Sequence, residues 1–335
     1  MIMKKASTNL SLINHFEQFT TAYEHRIAQG PVIIGLSGGP DSVALVHLMA
    51  NFCVQRSIRL IAAHLDHGWR AESAHDADWC DTLCRSLSIE CVSNHIDVFR
   101  DKLVMNGSKE EYARNARRLM FEQVANEVNA TVIALAHHQN DQEETFFIRL
   151  VRGASLTGLT GMKPVDGRYI RPLLAATKQE IIEYLETHNI GYLIDHTNQS
   201  ADYLRNRIRN HVIPTLKACD KRFEKTLSTT MARLALTEDY LAQETDKLYH
   251  AITLNNVLNC RLLQDVHPIM RHRIILKWLC AHGVKFPVSQ AFLDEIERYL
   301  LAGTARTHQV NQVWSIQKKH HRATIVNQPT PSSIE

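Results

Sequence analysis

The sequence predicts an α/β architecture: a parallel sheet with flanking helices, followed by a smaller, mostly helical domain. Three observations carry this. Across the first two-thirds of the 335 residues, short apolar runs alternate with segments of helical period. That pattern marks βαβ units around a buried parallel sheet. Beyond about Pro214 the texture changes to long helical stretches. Finally, 44% apolar and 22% charged residues describe an ordinary globular chain and exclude full-length disorder, and the length allows about two domains.

The first strand is expected at residues 31–36 (P-V-I-I-G-L), an apolar run ending at a glycine-rich turn. Residues 58–65 form the second, residues 89–96 a shorter and more polar third, and residues 131–136 the fourth. Helical period fills 43–54, 71–87 and 108–129 between them. Residues 216–250 lack Gly and Pro and read as one long helix, with amphipathic candidates at 267–280 and 289–301. Residues 309–316 and 321–326 alternate like two strands of a hairpin around Lys318, Lys319 and His320. The last residues, 328–335, are polar and read as a loose tail. The domains are therefore expected at 1–216 and 217–335.

Thirty-eight Lys and Arg against thirty-five Asp and Glu leave a net charge of only +3. So weak a balance points to nucleic acid only where charge clusters locally. No apolar run approaches the roughly 18 residues of a membrane helix. The N-terminus has Lys4 and Lys5 but neither an apolar core nor a cleavage site, so a cytoplasmic protein is expected. The seven cysteines are an odd, scattered set and read as free thiols. Cys80 and Cys84 share one helix face, but their spacing is not C-x-x-C.

Ser37, Gly38, Gly39, Pro40, Asp41 and Ser42 lie between the first strand and the helix that opens at Asp41 or Ser42. Glycines let a ligand approach the backbone, and the following helix offers unpaired N–H groups and a positive dipole end. Such a turn suits a phosphate. It is not a Walker A loop, since it has no G-K-[ST] and no lysine. The six residues resemble the S-G-G-x-D-S loop of the PP-loop family of N-type ATP pyrophosphatases. The resemblance implies a Rossmann-like sheet and ATP held through its β,γ-pyrophosphate while the α-phosphorus is attacked. Asp41 would then position Mg²⁺, because an anion beside phosphate needs a cation between them.

Three further segments carry chemistry. His64-Leu65-Asp66-His67-Gly68-Trp69-Arg70 ends the second strand, at the sheet edge where open α/β sheets bind ligands. Its two histidines lack further partners at metal spacing, so no protein-bound metal is expected. Glu110, Arg114 and Arg117 share one helix face. His137 to Thr145 follows the fourth strand and puts Asp141 and Glu144 on one side of a first helical turn. There they are either dipole-favoured caps or a receptor for an ammonium group.

Together these segments resemble the tRNA(Ile)-lysidine synthetase family, whose pattern runs S-G-G-x-D-S, H-x-D-H-G-x-R, E-x-x-x-R-x-x-R-Y and H-H-x-x-D-Q-x-E-T. The order continues here through Arg171-Pro172-Leu173, Asp195-His196-Thr197-Asn198 and Arg205-Asn206-Arg207-Ile208-Arg209. The resemblance implies a ligase. ATP would adenylate the C2 oxygen of the wobble cytidine in the CAU anticodon of isoleucine tRNA, and lysine would displace AMP to give lysidine. It assigns catalysis to Asp41, Arg114 and Arg117, ATP binding to residues 37–42 with His64 and Asp66, and lysine binding to Asp141 and Glu144. ATP and Mg²⁺ are the implied cofactors, isoleucine tRNA and L-lysine the partners, and a homodimer is left open. Asn140, Arg118 and Ser200 depart from the family pattern, which often has Asp, Tyr and Asp there. The rivals are a PP-loop tRNA thiolase, which typically carries the C-x-x-C absent here, and a non-catalytic tRNA-binding protein.

Between Leu204 and Arg233 stand eight Lys or Arg against Asp220 and Glu224, a local excess of six. That is the footprint expected for a phosphate backbone. Arg205, Arg207 and Arg209 are the tRNA-binding candidates. Arg205 and Arg209 share a face, and Arg207 is expected to point the other way, toward the sheet domain. Lys318, Lys319, His320, His321 and Arg322 form a second basic patch.

Overall fold

The computed structural model describes residues 2–69, 73–103, 109–194, 204–284, 289–303 and 307–327. It divides into two compact units, Met1–Met231 and Ala232–Glu335. The sequence places the change of texture near residue 216; the division falls inside a continuous helix fifteen residues later.

In the first unit, α1 (Ile2–Ile27) precedes β1 (Val32–Gly35), α2 (Pro40–Gln55), β2 (Leu60–Asp66), α3 (Ser73–Ser86) and β3 (Glu90–His95). After a 3₁₀ segment come α4 (Lys109–Glu127), β4 (Val132–Ala134), α5 (Gln139–Val151), the single turn α6 (Leu156–Leu159), β5 (Val165–Asp166), β6 (Tyr169–Ile170) and α7 (Lys178–Thr187). Next, α8 (Leu204–Arg207) runs through a π-helical turn (Ile208–Val212) into α9 (Ile213–Cys219), and α10 (Phe223–Ile252) begins. The strands form one sheet in the order β3-β2-β1-β4-β6-β5, parallel except for β5. The four expected strands are all present. The short β5–β6 hairpin adds two more, too brief to leave a readable period.

Alternation along the strands loads both faces. Val32 and Ile34 of β1 join the core beneath α2 with Val46 and Met49, while Ile33 joins Ile61, Ile133, Met120 and Val124 beneath α4. A side chain buried this completely contributes about 1.5–3 kcal/mol. Gly35 closes β1 because a Cβ there would lie 2.7 Å from the Phe121 ring. Strand β3 is the polar edge, with Glu90, Ser93 and His95 exposed. Strand order reverses between β1 and β4, so the crevice at their carboxyl ends is the topological switch point where such sheets bind ligands.

In the second unit the remainder of α10 is followed by β7 (Thr253–Leu254), β8 (Val257–Asn259), α11 (Cys260–Gln264), α12 (Pro268–Ala281), α13 (Gln290–Leu301), β9 (Thr307–Gln309), β10 (Trp314–Lys319) and β11 (Arg322–Asn327). Its five strands pair antiparallel in the order β7-β8-β11-β10-β9. The hairpin register differs from the sequence expectation. The segment read as one strand splits into β9 and β10, and the turn is His320-His321, both at positive φ (47° and 58°). This shift corrects the basic patch. Lys318 lies within β10 and is buried, and its ammonium donates to the Tyr299, Leu300 and Ala302 carbonyls that end α13.

Candidate active site

The glycine turn joins β1 to α2 as the sequence predicts, with Gly39 as N-cap and Pro40 opening the helix. Pro40 has no N–H to waste there, and the next amides of the first turn lack intrahelical acceptors. Ser42 closes the loop on itself: its Oγ accepts from the Ser37 amide (3.1 Å) and donates to the Gly39 carbonyl (2.9 Å). Gly38 sits at φ +78°, and its carbonyl accepts from the Leu193 amide (2.9 Å). A Cβ at Gly38 would meet Leu193 Cδ1 at 2.6 Å, so the position excludes side chains. At Gly39 the nearest atom to such a Cβ is Ser37 Oγ at 3.6 Å, which leaves that side open to a ligand.

Asp41 occupies the first turn of α2, where the dipole favours a carboxylate. Its Oδ1 accepts from the Lys178 ammonium at 2.6 Å and lies 3.6 Å from His138 Nε2. Burial pushes its pKa up, but His138 and Lys178 outweigh that and hold the carboxyl below its ordinary range. His138 is the N-cap of α5, across the switch point, and its Nε2 also lies 3.5 Å from Asp141 Oδ2. The glycine turn and the start of α5 thus meet over one imidazole.

Asp141 and Glu144 are buried in the first turns of α5, Glu144 to 2% exposure. Asp141 Oδ2 caps the helix by accepting from the His138 amide (3.0 Å). Its Oδ1 takes Arg205 Nη2 at 2.9 Å, and Glu144 takes Arg205 Nε at 2.6 Å and Arg209 Nε at 2.5 Å. This corrects the expected orientation of the basic helix. Arg205 and Arg209 turn their guanidinium groups to the carboxylates of α5, and Arg207, exposed, points the other way. Buried carboxylates require counter-charges, and a guanidinium fork supplies two donors at once.

On the β2 side, His64 is buried, and its Nδ1 donates to the Leu36 carbonyl at 3.0 Å. Burial holds its pKa low, so the ring is neutral, and Nε2 is a buried acceptor without a partner among the described residues. Asp66 caps its own turn through the Gly68 amide (2.8 Å). Arg117 Nη2 donates to His67 Nε2 (2.9 Å), and the His67 ring stacks on exposed Trp69. Burial first, then the charge of Arg117, pushes His67 down to about 4. His137 is likewise pushed to about 4, by burial and then by Arg171, Arg114 and Arg205 against the opposing pull of Asp141. Arg117 thus acts on His67 and His64 at the end of β2, and Arg114 on His137 after β4. The side chain of Glu110, Arg70, residues 195–198 and Ser200 lie outside the described residues.

These depressed histidines set a pH dependence. A group whose folded pKa lies below its unfolded value near 6.5 binds its proton less readily when folded. Its stabilisation is present above pH 6.5 and is lost as pH falls toward 4. The melting temperature is expected to drop across that window, and His67→Gln, which still accepts from Arg117, should make the drop shallower. An unchanged slope in the variant would show that His67 titrates normally.

Three sets of contacts at the site have no signal in the sequence. Lys178 is the cation at the loop, brought from 137 positions away. Its backbone is fixed by the Thr177–Glu180 capping box and by its amide donating to Asn140 Oδ1 (3.0 Å). The T-x-x-E signature at 177–180 marks this helix start. Asn140 also donates to Glu143 (3.4 Å), which an aspartate in its place could not do. Arg118 lies over the Tyr169 ring at 5.3 Å, so its aromatic partner comes from β6. A separate hollow lined by Asn126, Asn129, Thr131 and Arg168 lies at the amino end of β4, away from this chemistry.

A glycine turn between a first parallel strand and its helix, facing carboxylates across the switch point, defines a nucleotide-binding domain of the PP-loop class. A family model described as a PP-loop domain matches residues 11–216. The chain is 38% identical over 232 residues to the tRNA(Ile)-lysidine synthase of Bacillus subtilis, covering 67% of this chain and 48% of that protein. Against the enzyme of the same name from Clostridium perfringens it is 38% identical over 224 residues, covering 65% and 47%. Against that from Borreliella burgdorferi it is 31% identical over 309 residues, covering 88% and 68%. The chain belongs to the tRNA(Ile)-lysidine synthase family. It spans about half the length of the first two of these relatives. Among solved structures, the U34-tRNA thiolase NcsA from Methanococcus maripaludis shares the fold at TM-score 0.59 and 18% identity, covering 69% of this chain and 79% of that one.

Proposed function

We propose that this chain makes lysidine at the wobble cytidine of a CAU-anticodon isoleucine tRNA. One observation carries the reading: in a member of this family, His138 lies between Asp41 of the phosphate turn and Asp141 of α5, and Arg205 bridges Asp141 to Glu144. The cytidine C2 oxygen attacks the α-phosphorus and pyrophosphate leaves. The lysine amine then attacks C2, the C2–O bond breaks, AMP departs and the amine loses a proton. A carbonyl oxygen is a poor leaving group, and adenylation makes it a good one.

The amides of the first turn of α2 and the hydroxyls of Ser37 and Ser42, once turned from their contacts within the loop, hold phosphate oxygens, and neutral His64 presents Nε2 as an acceptor for a donor group of the nucleotide. Asp41 fits Mg²⁺, which is commonly bound by one or two carboxylates together with substrate phosphates. When bound, Mg²⁺ neutralises charge on the phosphates. Arg117 contributes positive potential at the β2 side and Arg114 beside His137. Lysine reaches Asp141 and Glu144 by displacing a guanidinium or sharing its carboxylate. An amine must be neutral to attack, and the surrounding arginines favour loss of its proton. The test is incubation with ATP, Mg²⁺, labelled lysine and transcripts of isoleucine and methionine tRNA, both with CAU anticodons. Label should enter the isoleucine tRNA alone; label in neither, with ATP turnover intact, overturns the reading.

The tRNA backbone is read by the exposed cations of α8 to α10. Arg207, Lys221 and Lys225 are exposed, whereas Lys217 is held by Glu224. Replacing these three exposed residues by Ala should lower the slope of log affinity against log salt by about 0.7 to 0.9 for each phosphate left without its cation. An unchanged slope would make this face merely solvated.

A further inference from the structure

The glycine turn contains no lysine, yet its helix end and hydroxyls would face a polyphosphate with several negative charges. Asp41 adds another negative charge at the same place. We propose that Lys178 is the phosphate-binding cation this loop lacks, leaving Asp41 to grip the β- and γ-phosphates of ATP. The proposal rests on the nucleotide-binding reading of the loop.

Three features support it. The Lys178–Asp41 pair is short, 2.6 Å, but its side chains are 40% and 30% exposed. Such a pair is screened by water and is readily exchanged for a stronger anion. Its backbone is rigid: Lys178 opens α7 behind the capping box, bonded to Asn140, and the neighbouring Ala176 carbonyl accepts from the Gln139 amide at 2.7 Å. Only the flexible stem need move. Moreover, a lysine at the start of a helix opposes the helix dipole, which favours anions there. Nothing in the packing of α7 needs that charge; its described carboxylate partner is the loop's own aspartate. When Lys178 turns to phosphate, His138 remains beside Asp41 Oδ1 at 3.6 Å.

The experiment compares wild type, Lys178→Met and Lys178→Arg by calorimetric binding of ATP, AMP and inorganic pyrophosphate, without tRNA. In Lys178→Met, ATP and pyrophosphate affinity should fall about 10- to 100-fold, the worth of a charge-assisted hydrogen bond, with AMP little changed. Lys178→Arg should recover most of the loss, which a purely structural role for the stem would not give. Equal weakening of ATP and AMP, or undiminished pyrophosphate binding in Lys178→Met, overturns the proposal while the nucleotide site stands. Failure of the wild type to bind ATP or AMP overturns both.

Discussion

Asp41→Ala is expected to abolish tRNA-dependent pyrophosphate release while the protein stays folded. The carboxylate lies at the mouth of the phosphate turn, and its partners Lys178 and His138 meet it from other elements rather than packing it into the core. Removing a favourable charge from a first helical turn costs about 0.3–1 kcal/mol, and a half-exposed ion pair adds at most about 1 kcal/mol. Loss of a preorganised group aimed at the reacting phosphates costs about two to three decades in rate, more if metal binding goes with it. Its depressed pKa adds a pH signature. The carboxylate stays ionised well into acid, so activity limited by Asp41 should hold as pH falls until below its ordinary range. Pyrophosphate release and a melting curve on the same preparation check this. Turnover near the wild-type rate would remove Asp41 from the machinery.

Much of this site was legible because it depends on local patterns. An apolar run, a glycine pair and a helix start are contiguous, so residues 31–55 announce their strand, turn and helix. Period alone places Arg114 and Arg117 on one face and sets Asp141 and Glu144 on one side of the first turns of α5. What stayed hidden are the partners across long sequence separations. Lys178 reaches Asp41 only because α7 packs beside the switch point. Arg205 and Arg209 looked like free cations because a count of local charge cannot see carboxylates sixty residues earlier. Lys318 read as surface charge because alternation shows which residues share a face but not which face is covered; here it is covered by the end of α13. Strand β10 was misplaced for a related reason, since the positive φ at His320 and His321 falls on residues that do not advertise a turn.

Glu144→Gln has the second large effect, and it separates two roles that the structure superimposes on one carboxylate. Selecting lysine requires negative charge screened from water, and Glu144 is 2% exposed at the edge of the switch-point crevice. Glutamine keeps the shape and an acceptor oxygen but removes the charge. A charge-assisted contact is worth roughly 1.5–3 kcal/mol, so the lysine concentration for half-maximal rate should rise by about one to two decades. The same charge also holds Arg205 and Arg209, whose side chains remain 36% and 41% exposed. Their partial hydration keeps the stability cost well below the roughly 3–5 kcal/mol of a fully buried broken pair, at about 1–2 kcal/mol. The two roles therefore predict different readouts. If Glu144 receives lysine, lysine dependence shifts while adenylation, measured as ATP–pyrophosphate exchange with tRNA present, survives. If it serves only to clamp α8 and the π-helical turn to the sheet domain, melting temperature and tRNA affinity fall and the lysine dependence of the remaining activity is unchanged. Collapse of adenylation with lysine affinity intact would instead assign the carboxylate to the nucleotide, and the lysine pocket would have to lie elsewhere.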